Sequence, residues 1–568
     1  MAPALLLTGG AILTMDPTRP RADALGVLGE EIVACGAEAE VAAAVGDGAE
    51  RVDLGGAALL PAFIDAHHHY CMAALDRLAP DLHPVSGEPI AALLARLEPA
   101  VRASREPWVR AQGYDTHKLA ERRAPRREEL DELCPDRPLL LIAYSFHEGV
   151  LNSAGLERMG WDATTPDPPG GSLARRRGKL TGELIEAAFF RAEASSRGAL
   201  LEHAGDAWLV ECQAHGRELL RAGIVRVGDA AVPPAIDALY ERAAEAGMLP
   251  VKVHRMPVGD RSMIQERVDG PVTGAGPRRT PVGTAKLFLD GADRCAVCAS
   301  PLQLLGSLAG TVRSALGGEG LAALRAAAAF GEGWHFDRHA LMHRGVLFWE
   351  PEQLAATIAA AAAHGLQVAQ HAIGNEAIEA AVAALERVGA PLADLPGVPR
   401  LEHAMLLDRS LAQRIAAVGA TAVVNPHFVF DLGDALAPAP LPGGLRAVGL
   451  RTLTSAGVEL AGSSDYPVSS YDVPAALRAA STRLTRAGRT FEPDEAIGVE
   501  AALRAYTAGA ARSLGVDGEV GTLEPGKRAD MVVLSGDPLA TDPMALDSLR
   551  ILRTYVDGEL VYEATHAR

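Results

Sequence analysis

Between residues 59 and 512, short apolar runs alternate with longer stretches rich in alanine and leucine. The apolar runs predict strands at residues 139–143, 224–227, 251–254, 285–289, 367–370, 422–424 and 459–461. The longer stretches predict helices at residues 90–103, 206–222, 233–246, 351–364, 377–388 and 410–418. Alternation on this scale indicates parallel pairing of the strands. It favours an α/β fold of the (β/α)8 TIM-barrel type over a doubly wound open sheet, because no glycine-rich dinucleotide fingerprint follows the first strand.

The two ends of the chain have a different pattern. Residues 4–58 contain brief apolar strands separated by Gly, Pro or Asp, and the C-terminal end repeats that rhythm, with a hairpin predicted over residues 551–562. We therefore expect a discontinuous β-sandwich domain made from residues 1–58 and 513–568, flanking a central barrel over residues 59–512. Within the barrel we expect a surface loop at residues 164–171 and an insertion over the barrel mouth at about residues 293–345.

Composition narrows the kinds of partner. The 568 residues carry a net charge of −18, and no basic stripe offsets it, which argues against nucleic acid. The six cysteines are scattered, as in proteins of a reducing cytoplasm. Neither a signal peptide nor a membrane span is expected, because the apolar runs are too short. The sequence thus predicts a cytoplasmic protein whose partner is a small-molecule substrate.

Side chains of the types that bind metal ions lie near the ends of several predicted strands. The apolar run at residues 59–64 leads into His67, His68 and His69. Because residues i and i+2 of a strand share a face, His67 and His69 point into one space and could form half of a metal site. In a (β/α)8 barrel the chemistry lies at the C-terminal ends of the strands, so partners are expected near the ends of other strands. The candidates are His147, Lys286, His371, His403 and Asp465.

Each candidate taken alone is equally consistent with a structural role. Taken in order, they fall within motifs that resemble the amidohydrolase superfamily of metal-dependent hydrolases, and within it the YtcJ-like branch that includes the N-substituted formamide deformylases. The matching segments are residues 61–69, 147–152, 286–291, 371–374, 402–403, 464–467 and 521–530. The chain departs from the branch at Asn375, where Asp is common, at Ala62, where Gly is usual, and in the insertion after Asp290.

The resemblance implies a site for two divalent metal ions, with zinc favoured. By this resemblance His67 and His69 hold the more buried ion, and His371 and His403 hold the second. Lys286 falls where the family has a carboxylated lysine that bridges the two ions. Asp465 is implied to bind metal and to transfer the proton during catalysis. The resemblance also favours a homodimer.

Further residues are assigned by position. A neutral His147 is predicted to add a donor to the oxyanion, and Asp65, Glu402 and Asn375 are near enough in sequence to support the metal-binding imidazoles. His335, His339 and His343 recur every four residues, which would place them on one face of a helix. The residues predicted to line the substrate pocket are His427, Asn375, Trp334 and His343.

Several functions remain open at this point. The leading hypothesis is hydrolysis of a carbon–nitrogen bond other than a peptide bond, in an N-acyl or N-formyl amide. The same site would serve deamination or ring opening of a heterocycle, because the fold does not separate these reactions. Two further hypotheses are metal-assisted decarboxylation or isomerisation, and a binding protein without turnover.

Overall fold

The structure is a computed structural model that describes residues 4–116, 118–260, 262, 264–292, 295–331, 334–336 and 341–565. The N-terminal region consists of short strands, as the apolar pattern predicted, with one helix among them. They are β1 (Ala4–Thr8), β2 (Ala11–Leu13), β3 (Arg21–Ala22), β4 (Ala24–Leu28), β5 (Glu31–Gly36), α1 (Glu38–Val45), β6 (Glu50–Asp53) and β7 (Ala58–Pro61).

The next region contains a sheet that the sequence did not separate from the central fold. Its elements are β8 (Phe63–His68), α2 (Tyr70–Asp76), α3 (Ile90–Ala103), β9 (Val109–Tyr114), α4 (Arg127–Leu133), β10 (Leu139–Ala143), β11 (Glu148–Leu151), α5 (Ser153–Arg158), β12 (Gly171–Arg176), β13 (Lys179–Glu186) and α6 (Ala187–Arg221). Strands β9–β13 form a five-stranded sheet of their own in the order β12-β13-β11-β10-β9. The strand predicted at residues 139–143 is therefore real, but it lies outside the central strands.

The central α/β region provides most of the remaining elements. They are β14 (Ile224–Val232), α7 (Pro234–Glu245), β15 (Lys252–Pro257), β16 (Ala285–Phe288), β17 (Val297–Ala299), α8 (Pro301–Ser314), α9 (Leu321–Gly331), β18 (His335–Phe336), β19 (Met342–Arg344), α10 (Pro351–His364), β20 (Val368–Ala372), α11 (Asn375–Val388), β21 (Arg400–His403), β22 (Leu406–Leu407), α12 (Arg409–Ala417), β23 (Thr421–Val424), α13 (His427–Leu436), β24 (Arg446–Ala447), α14 (Leu450–Ser455), β25 (Leu460–Gly462), α15 (Val473–Thr482), α16 (Val499–Arg504) and α17 (Ala510–Ser513).

Eight of the central strands pair in parallel within two sheets. One sheet has the order β15-β14-β8 and the other β16-β20-β21-β23-β25. The two ladders are not continuous with each other. Their edges are nevertheless adjacent, because the backbone N–H of Arg255 donates to Pro281 O at 3.0 Å at one seam and that of Asp465 donates to His67 O at 2.9 Å at the other. The C-terminal ends of all eight strands therefore lie on the same side.

Strands from the two ends of the chain combine in one sheet. The last strands are β26 (Met531–Leu534), β27 (Ile551–Val556) and β28 (Glu559–Glu563), and they continue into the N-terminal strands in the order β28-β27-β26-β7-β2-β3. A four-stranded sheet, β5-β4-β1-β6, packs against it through an apolar core that includes Leu7, Leu25, Leu59 and Val533. Strand β7 belongs to this sheet, so the sheet extends three residues past the boundary predicted at residue 58.

The predicted insertion joins β16 to α10. Its described part contains α8, α9 and a small sheet in the order β17-β19-β18. The expectation that His335 and His343 share a helix face is wrong, because they lie opposite each other on antiparallel strands. His339 falls outside the described residues. In the described part of the chain, no helix combines the length and the apolar character that a bilayer crossing requires.

Candidate metal centre

The predicted metal ligands gather at the C-terminal ends of the central strands. His67 lies on β8 and His69 directly follows it, whereas Lys286, His371 and His403 lie on β16, β20 and β21. Asp465 follows β25 by three residues. Parallel pairing brings these positions together, since Phe288 of β16 pairs with His371 and Ala372 pairs with His403.

Side-chain distances show that the residues share one buried space. Asp465 Oδ1 lies 3.4 Å from His67 Nε2 and 3.1 Å from His69 Nε2. Lys286 Nζ lies 3.4 Å from His67 Nε2. Ligand atoms of His67, His403 and Asp465 all lie within 4.8 Å of one another.

The imidazole of His371 extends the cluster on the side of His403. The centroids of these two rings are 4.7 Å apart, and those of His403 and His67 are 4.9 Å apart. His371 Nε2 is fully buried and has no hydrogen-bond partner among the described residues, and Asp290 Oδ1 lies 3.7 Å from it, beyond hydrogen-bonding distance. A buried nitrogen without a partner is costly unless something coordinates it. This orphaned atom therefore fits a metal ligand.

Three of the imidazoles are oriented by hydrogen bonds at Nδ1. His67 Nδ1 contacts Glu402 Oε2, His69 Nδ1 lies 3.1 Å from Ala230 O, and His403 Nδ1 lies 2.9 Å from Asn425 Oδ1. An acceptor at Nδ1 holds the proton there and leaves the lone pair on Nε2. The Nε2 atoms of His67 and His69 accordingly face Asp465. This is the arrangement that metal-binding histidines require.

Glu402 is itself held in place by a buried ion pair. The guanidinium of Arg400 donates to both carboxylate oxygens of Glu402, at 2.8 and 2.9 Å, and to Ala66 O at 2.7 Å. Both side chains are fully buried. Since Arg400 and Glu402 are two residues apart on β21, they project from the same face of the strand. The pair therefore holds in place the carboxylate that orients the imidazole of His67.

Electrostatics favour deprotonated ligands. Burial, reinforced by the charge of Lys286, lowers the pKa of His67 well below its usual value, and burial lowers that of His371 in the same way. Burial alone raises the pKa of Asp465, but the imidazoles of His403, His69 and His67 outweigh it and the net shift is downward. Neutral imidazoles and an ionised carboxylate are the donor types that zinc prefers. The donor set therefore fits a divalent ion.

Lys286 is unusual among the cluster residues. Burial lowers its pKa to about 8, against the opposing effect of the Glu402 and Asp465 carboxylates. Its Nζ also lies 4.8 Å from the centre of the Phe288 ring. A buried ammonium group among ligands of a divalent cation would be repelled strongly. The lowered pKa makes the neutral amine more accessible near neutral pH than it is in an ordinary lysine.

Two of the cluster residues have unusual backbone conformations. His403 has a φ of 72° and Asp465 a φ of 57°, both in the left-handed region that residues with side chains rarely adopt. Such conformations cost about 1–3 kcal/mol each and concentrate at functional sites. The strain sets the direction of both side chains at the strand ends.

His147 lies beside the cluster and is held by a carboxylate that the sequence motifs did not reveal. Its ring centroid is 5.7 Å from that of His371, and its Nδ1 lies 2.8 Å from Oε2 of the buried Glu186. An ionised carboxylate only accepts, so this bond assigns the proton to Nδ1. Donation from Nε2 would then require the imidazolium form, and the predicted role of His147 as a donor to the oxyanion stays a prediction.

Asp65 does not support a metal-binding imidazole. Its carboxylate lies 2.9 Å from His68 Nδ1 and accepts from the backbone N–H of Ser464 at 2.9 Å, so it joins β8 to the segment that carries Asp465. His68 also lies 2.9 Å from His215 through the two Nε2 atoms. Of the predicted supporting residues, Glu402 contacts a ligand histidine and Asp65 has a structural role.

The predicted substrate-pocket residues are dispersed. Asn375 exchanges two hydrogen bonds with the backbone of Cys298, at 3.0 and 2.9 Å, and His343 Nδ1 lies 2.9 Å from Glu376 Oε1. Both therefore attach the insertion to the start of α11. Trp334 lines a small cavity of about 140 Å³ between α8 and the segment after α13. A role in substrate binding stays a prediction for these three residues.

His427 borders a much larger cleft. Its Nε2 lies 2.8 Å from Asp472 O, and the cleft it lines has a volume of about 1020 Å³. Tyr466, next to Asp465, lines the same cleft, which continues toward β27 and β28. None of the predicted metal ligands lines this cleft, so a role for His427 in substrate binding also stays a prediction.

Sequence reasoning missed Glu186, Arg400, Asn425 and the carbonyl of Ala230. Arg400 stands two residues before Glu402, and this same-face spacing could have indicated a paired buried charge. The other three come from distant parts of the chain, and only the tertiary fold brings them to the site.

The fold is of the α/β class, and the buried cluster has the donor types of a site for a divalent metal. Residues 50–562 match the Amidohydrolase family, and the chain belongs to that family. The predicted family membership is thereby confirmed.

Particular relatives span the whole chain. It is 32% identical to an N-substituted formamide deformylase of Arthrobacter pascens, over 99% of this chain and 98% of that protein. It is 29% identical to YtcJ of Bacillus subtilis (strain 168), over 90% of each chain. Its fold resembles that of an uncharacterized metal-dependent hydrolase from Pyrococcus horikoshii OT3, with a TM-score of 0.68 and 23% identity over 95% of this chain and 99% of that one.

Proposed function

We propose that this protein is a metal-dependent hydrolase that cleaves a non-peptide carbon–nitrogen bond in an N-acyl or N-formyl amide. One observation carries the proposal: three imidazoles, buried for His67 and His403 and half-buried for His69, are held at Nδ1, and two of them face Asp465 through Nε2 beside a buried lysine amine. The likeness to an N-substituted formamide deformylase over the full chain supports the choice of substrate class.

The proposal includes the closed form of the fold. The two central sheets meet at both edges through a few backbone hydrogen bonds, and we infer that together they form an eight-stranded (β/α)8 barrel. The ligands then sit at the end of the barrel where such enzymes carry out their chemistry. The sandwich strands flank the opposite end.

The residues present would hold two divalent ions, with zinc favoured by the nitrogen and oxygen donors. His67, His69 and Asp465 would bind one ion, and His371 and His403 the other. A divalent ion held here would supply acidified water and a polarised carbonyl group. The neutral amine of Lys286 would form a carbamate by attack of its lone pair on the carbon of CO2, with release of a proton, which would give the site a further anionic oxygen ligand.

Asp465 is the proton carrier in this proposal. Its carboxylate is ionised and buried, and it lies against the imidazole of His67, whose pKa burial lowers well below its usual value. It accepts the proton of the attacking water and then delivers it to the leaving nitrogen, so that the departing group is a neutral amine. Its position between the imidazole groups allows both transfers without movement of the backbone.

His147 stands on the other side of the cluster as a positioned imidazole. Glu186 fixes the ring plane and stabilises the imidazolium form, which alone can donate from Nε2 to an oxyanion. We therefore assign the donor role to protonated His147 and a positioning role to Glu186.

The function is tested with zinc-supplemented protein on two substrate panels, N-substituted formamides and cyclic amides. We expect formate and amine in equal amounts from the first panel, with the rate lost on chelation and restored by added metal. Ring-opened product from the second panel alone would replace the proposed substrate class. Product without ¹⁸O from labelled solvent water would overturn hydrolysis itself.

A Lys286→Met variant should lose metal as well as activity, because the amine that forms the proposed bridge is gone. We expect bound metal to fall below that of the wild type and kcat to fall by more than about 100-fold, the upper range for losing a supporting residue alone. Elemental analysis and steady-state kinetics measure both, and ¹³C NMR after incubation with labelled bicarbonate tests for the carbamate in the wild type.

The matched control is Lys179→Met at an exposed position of β13, which should leave metal content and rate unchanged. A Lys286→Met protein with full metal content and the wild-type rate would show that the lysine is not a bridging ligand.

A Glu186→Gln variant should lower kcat by about 10–100-fold with little change in KM, less than the about 10²–10³-fold cost of removing an oxyanion donor outright. The reason is that glutamine can still hold the ring but does not stabilise its charged form. Partial recovery in Glu186→Asp and no effect in Glu202→Gln, an exposed position of α6, serve as controls. If Glu186→Gln lowers kcat equally in a His147→Ala background, Glu186 does not act through His147.

A further inference from the structure

A small internal cavity is lined by polar side chains from the central strands. It has a volume of about 10 Å³, close to the roughly 10–15 Å³ that one water molecule needs. His254 of β15, Thr284 directly before β16 and Arg400 of β21 contribute to its lining, and all three are buried. Pro396, which is exposed, lines the cavity as well, so a small ion could enter from solvent. The cavity can thus hold a single small guest.

The cavity lies on the N-terminal side of the metal cluster. Arg400 precedes Glu402 by two residues on β21, and Thr284 precedes Lys286 by two residues. Parallel pairing aligns Lys286 with Ala369 and Ala369 with Arg400, so these positions form one layer of the central strands. A guest of the cavity would therefore lie near residues that support the metal ligands.

Arg400 leaves one guanidinium nitrogen unused. Its Nε and Nη2 donate to Glu402 and to Ala66 O, whereas the buried Nη1 has no hydrogen-bond partner in the described part of the chain. Thr284 Oγ1 is likewise buried and unpartnered among the described residues. Buried polar atoms without a partner are costly, most of all on a charged group. Two such atoms belong to side chains that line the same cavity.

His254 supplies a further donor. Nη1 of Arg226 lies 2.9 Å from His254 Nε2, and since a guanidinium only donates, Nε2 is the acceptor. Burial and the positive charges of Arg226, Arg400 and Lys252 lower the pKa of His254 well below its usual value, so the ring is neutral. The single proton of the neutral imidazole is then on Nδ1. The lining therefore offers N–H and O–H donors in surroundings rich in cations.

We propose that this cavity binds a monovalent anion of halide size, which accepts hydrogen bonds from Arg400 Nη1, Thr284 Oγ1 and His254 Nδ1. Among the described residues that line the cavity there is no carboxylate, so a cation would find no counter-ion there. A water molecule would accept from two of the donors, and of the unpartnered atoms only the Thr284 hydroxyl could accept its protons. An anion accepts from all three donors, and hydrogen bonds between charged groups are the stronger kind.

The anion would act on the metal centre through Arg400. At Nη1 it would complete the hydrogen bonds of a guanidinium whose other nitrogens hold Glu402 and Ala66 O. Glu402 in turn contacts His67 Nδ1. We therefore expect the bound anion to stabilise the fold and to support retention of metal. Anion binding does not depend on the reaction proposed above, so its tests need no substrate.

The first experiment locates the anion. Crystals of the wild-type protein grown without chloride are soaked in sodium bromide, and anomalous diffraction at the bromine edge identifies bound bromide. We expect a peak in contact with Arg400 Nη1 and Thr284 Oγ1. A water molecule at this position without an anomalous signal would overturn the proposal.

The second experiment measures binding in solution. Thermal unfolding is followed at constant ionic strength while chloride replaces gluconate, an anion too large for the cavity. We expect the unfolding midpoint to rise by about 1–3 °C and to saturate with chloride, as for a ligand that binds only the folded state. An equal midpoint in both salts, with bromide seen only in soaked crystals, would mean an adventitious ion only and would also overturn the proposal.

Variants of two threonines that line the cavity separate anion binding from general stability. Thr284→Val keeps the shape but removes a donor, so we expect the half-saturating chloride concentration to rise by about 10–100-fold, the cost of a hydrogen bond to a charged group. Thr284→Ser, which keeps the hydroxyl, should respond like the wild type. The matched control is Thr273→Val, because that hydroxyl already donates to Gly283 O and accepts from Gln367 N. A Thr284→Val protein with the wild-type chloride response would contradict the assignment of this cavity.

Discussion

Replacing Asp465 with asparagine should lower kcat by about 10²–10⁴-fold, the usual contribution of a positioned proton carrier. Asparagine keeps an oxygen where Oδ1 now lies, 3.1 Å from His69 Nε2 and 3.4 Å from His67 Nε2, but it cannot accept a proton at neutral pH. We therefore expect most of the metal to remain while turnover is lost. Steady-state kinetics and elemental analysis on the same preparation measure the two effects separately.

The control for this substitution is Asp206→Asn, whose side chain is 89% exposed and pairs only with Arg242 at the surface. It should leave the rate unchanged. An Asp465→Asn protein that retains its metal and turns over within threefold of the wild type would remove Asp465 from the proton path. Loss of metal together with rate would instead show that its main role is as a ligand.

Replacing Arg400 with methionine should lower the free energy of unfolding by about 3–5 kcal/mol, because the substitution leaves the buried carboxylate of Glu402 without its cation. The guanidinium makes three buried hydrogen bonds, two to Glu402 and one to Ala66 O, and methionine makes none. Urea unfolding followed by intrinsic fluorescence measures the loss. Metal content should fall too, because Glu402 orients His67.

Arg414→Met is the matched comparison. Arg414 also makes paired hydrogen bonds to a carboxylate, at 2.9 and 2.8 Å to Glu386, but it does so at the surface. Exposed ion pairs contribute only about 0–1 kcal/mol, so this variant should unfold almost like the wild type. Equal losses in the two variants would show that burial of the Arg400–Glu402 pair has no special effect on stability.

Much of the central fold could be predicted from the alternation of apolar and alanine-rich segments. Helices α3 and α10 begin and end at the predicted residues, and the 551–562 hairpin is present as β27 and β28. The separate sheet of β9–β13 could not be predicted, because an apolar run such as residues 139–143 reads the same in any buried sheet. Assignment of a strand to its sheet depends on pairing partners that are remote in sequence.

The candidate site also divides into residues that the sequence predicts and contacts that only the tertiary fold reveals. The strand-end positions of His67, Lys286, His371 and His403 follow from local patterns and from the family resemblance. Their supporting contacts do not, since Glu186 reaches His147 from 39 residues away and Asn425 reaches His403 from the next strand. The sequence suggested Asp65, Glu402 and Asn375 as supporting residues, and of these Glu402 contacts a ligand histidine whereas Asp65 contacts His68 and Asn375 contacts Cys298.

The insertion shows a third limit of structure prediction from sequence patterns. The four-residue spacing of His335, His339 and His343 suggested a helix, yet His335 and His343 lie on two short antiparallel strands. In α8 the periodicity is helical, but it does not say which face meets the protein.

The sheet that joins both ends of the chain has a consequence for biosynthesis. Strand β7 pairs with β26 through Leu60 and Val532, so its neighbour is synthesised only after the whole central region. At about 5–20 residues per second, a ribosome needs roughly 25–90 s to translate the intervening stretch. During that interval the newly made N-terminal strands have an open edge, the kind of edge that promotes aggregation and recruits chaperones. Recombinant yield should therefore depend on holding this nascent segment soluble until translation ends.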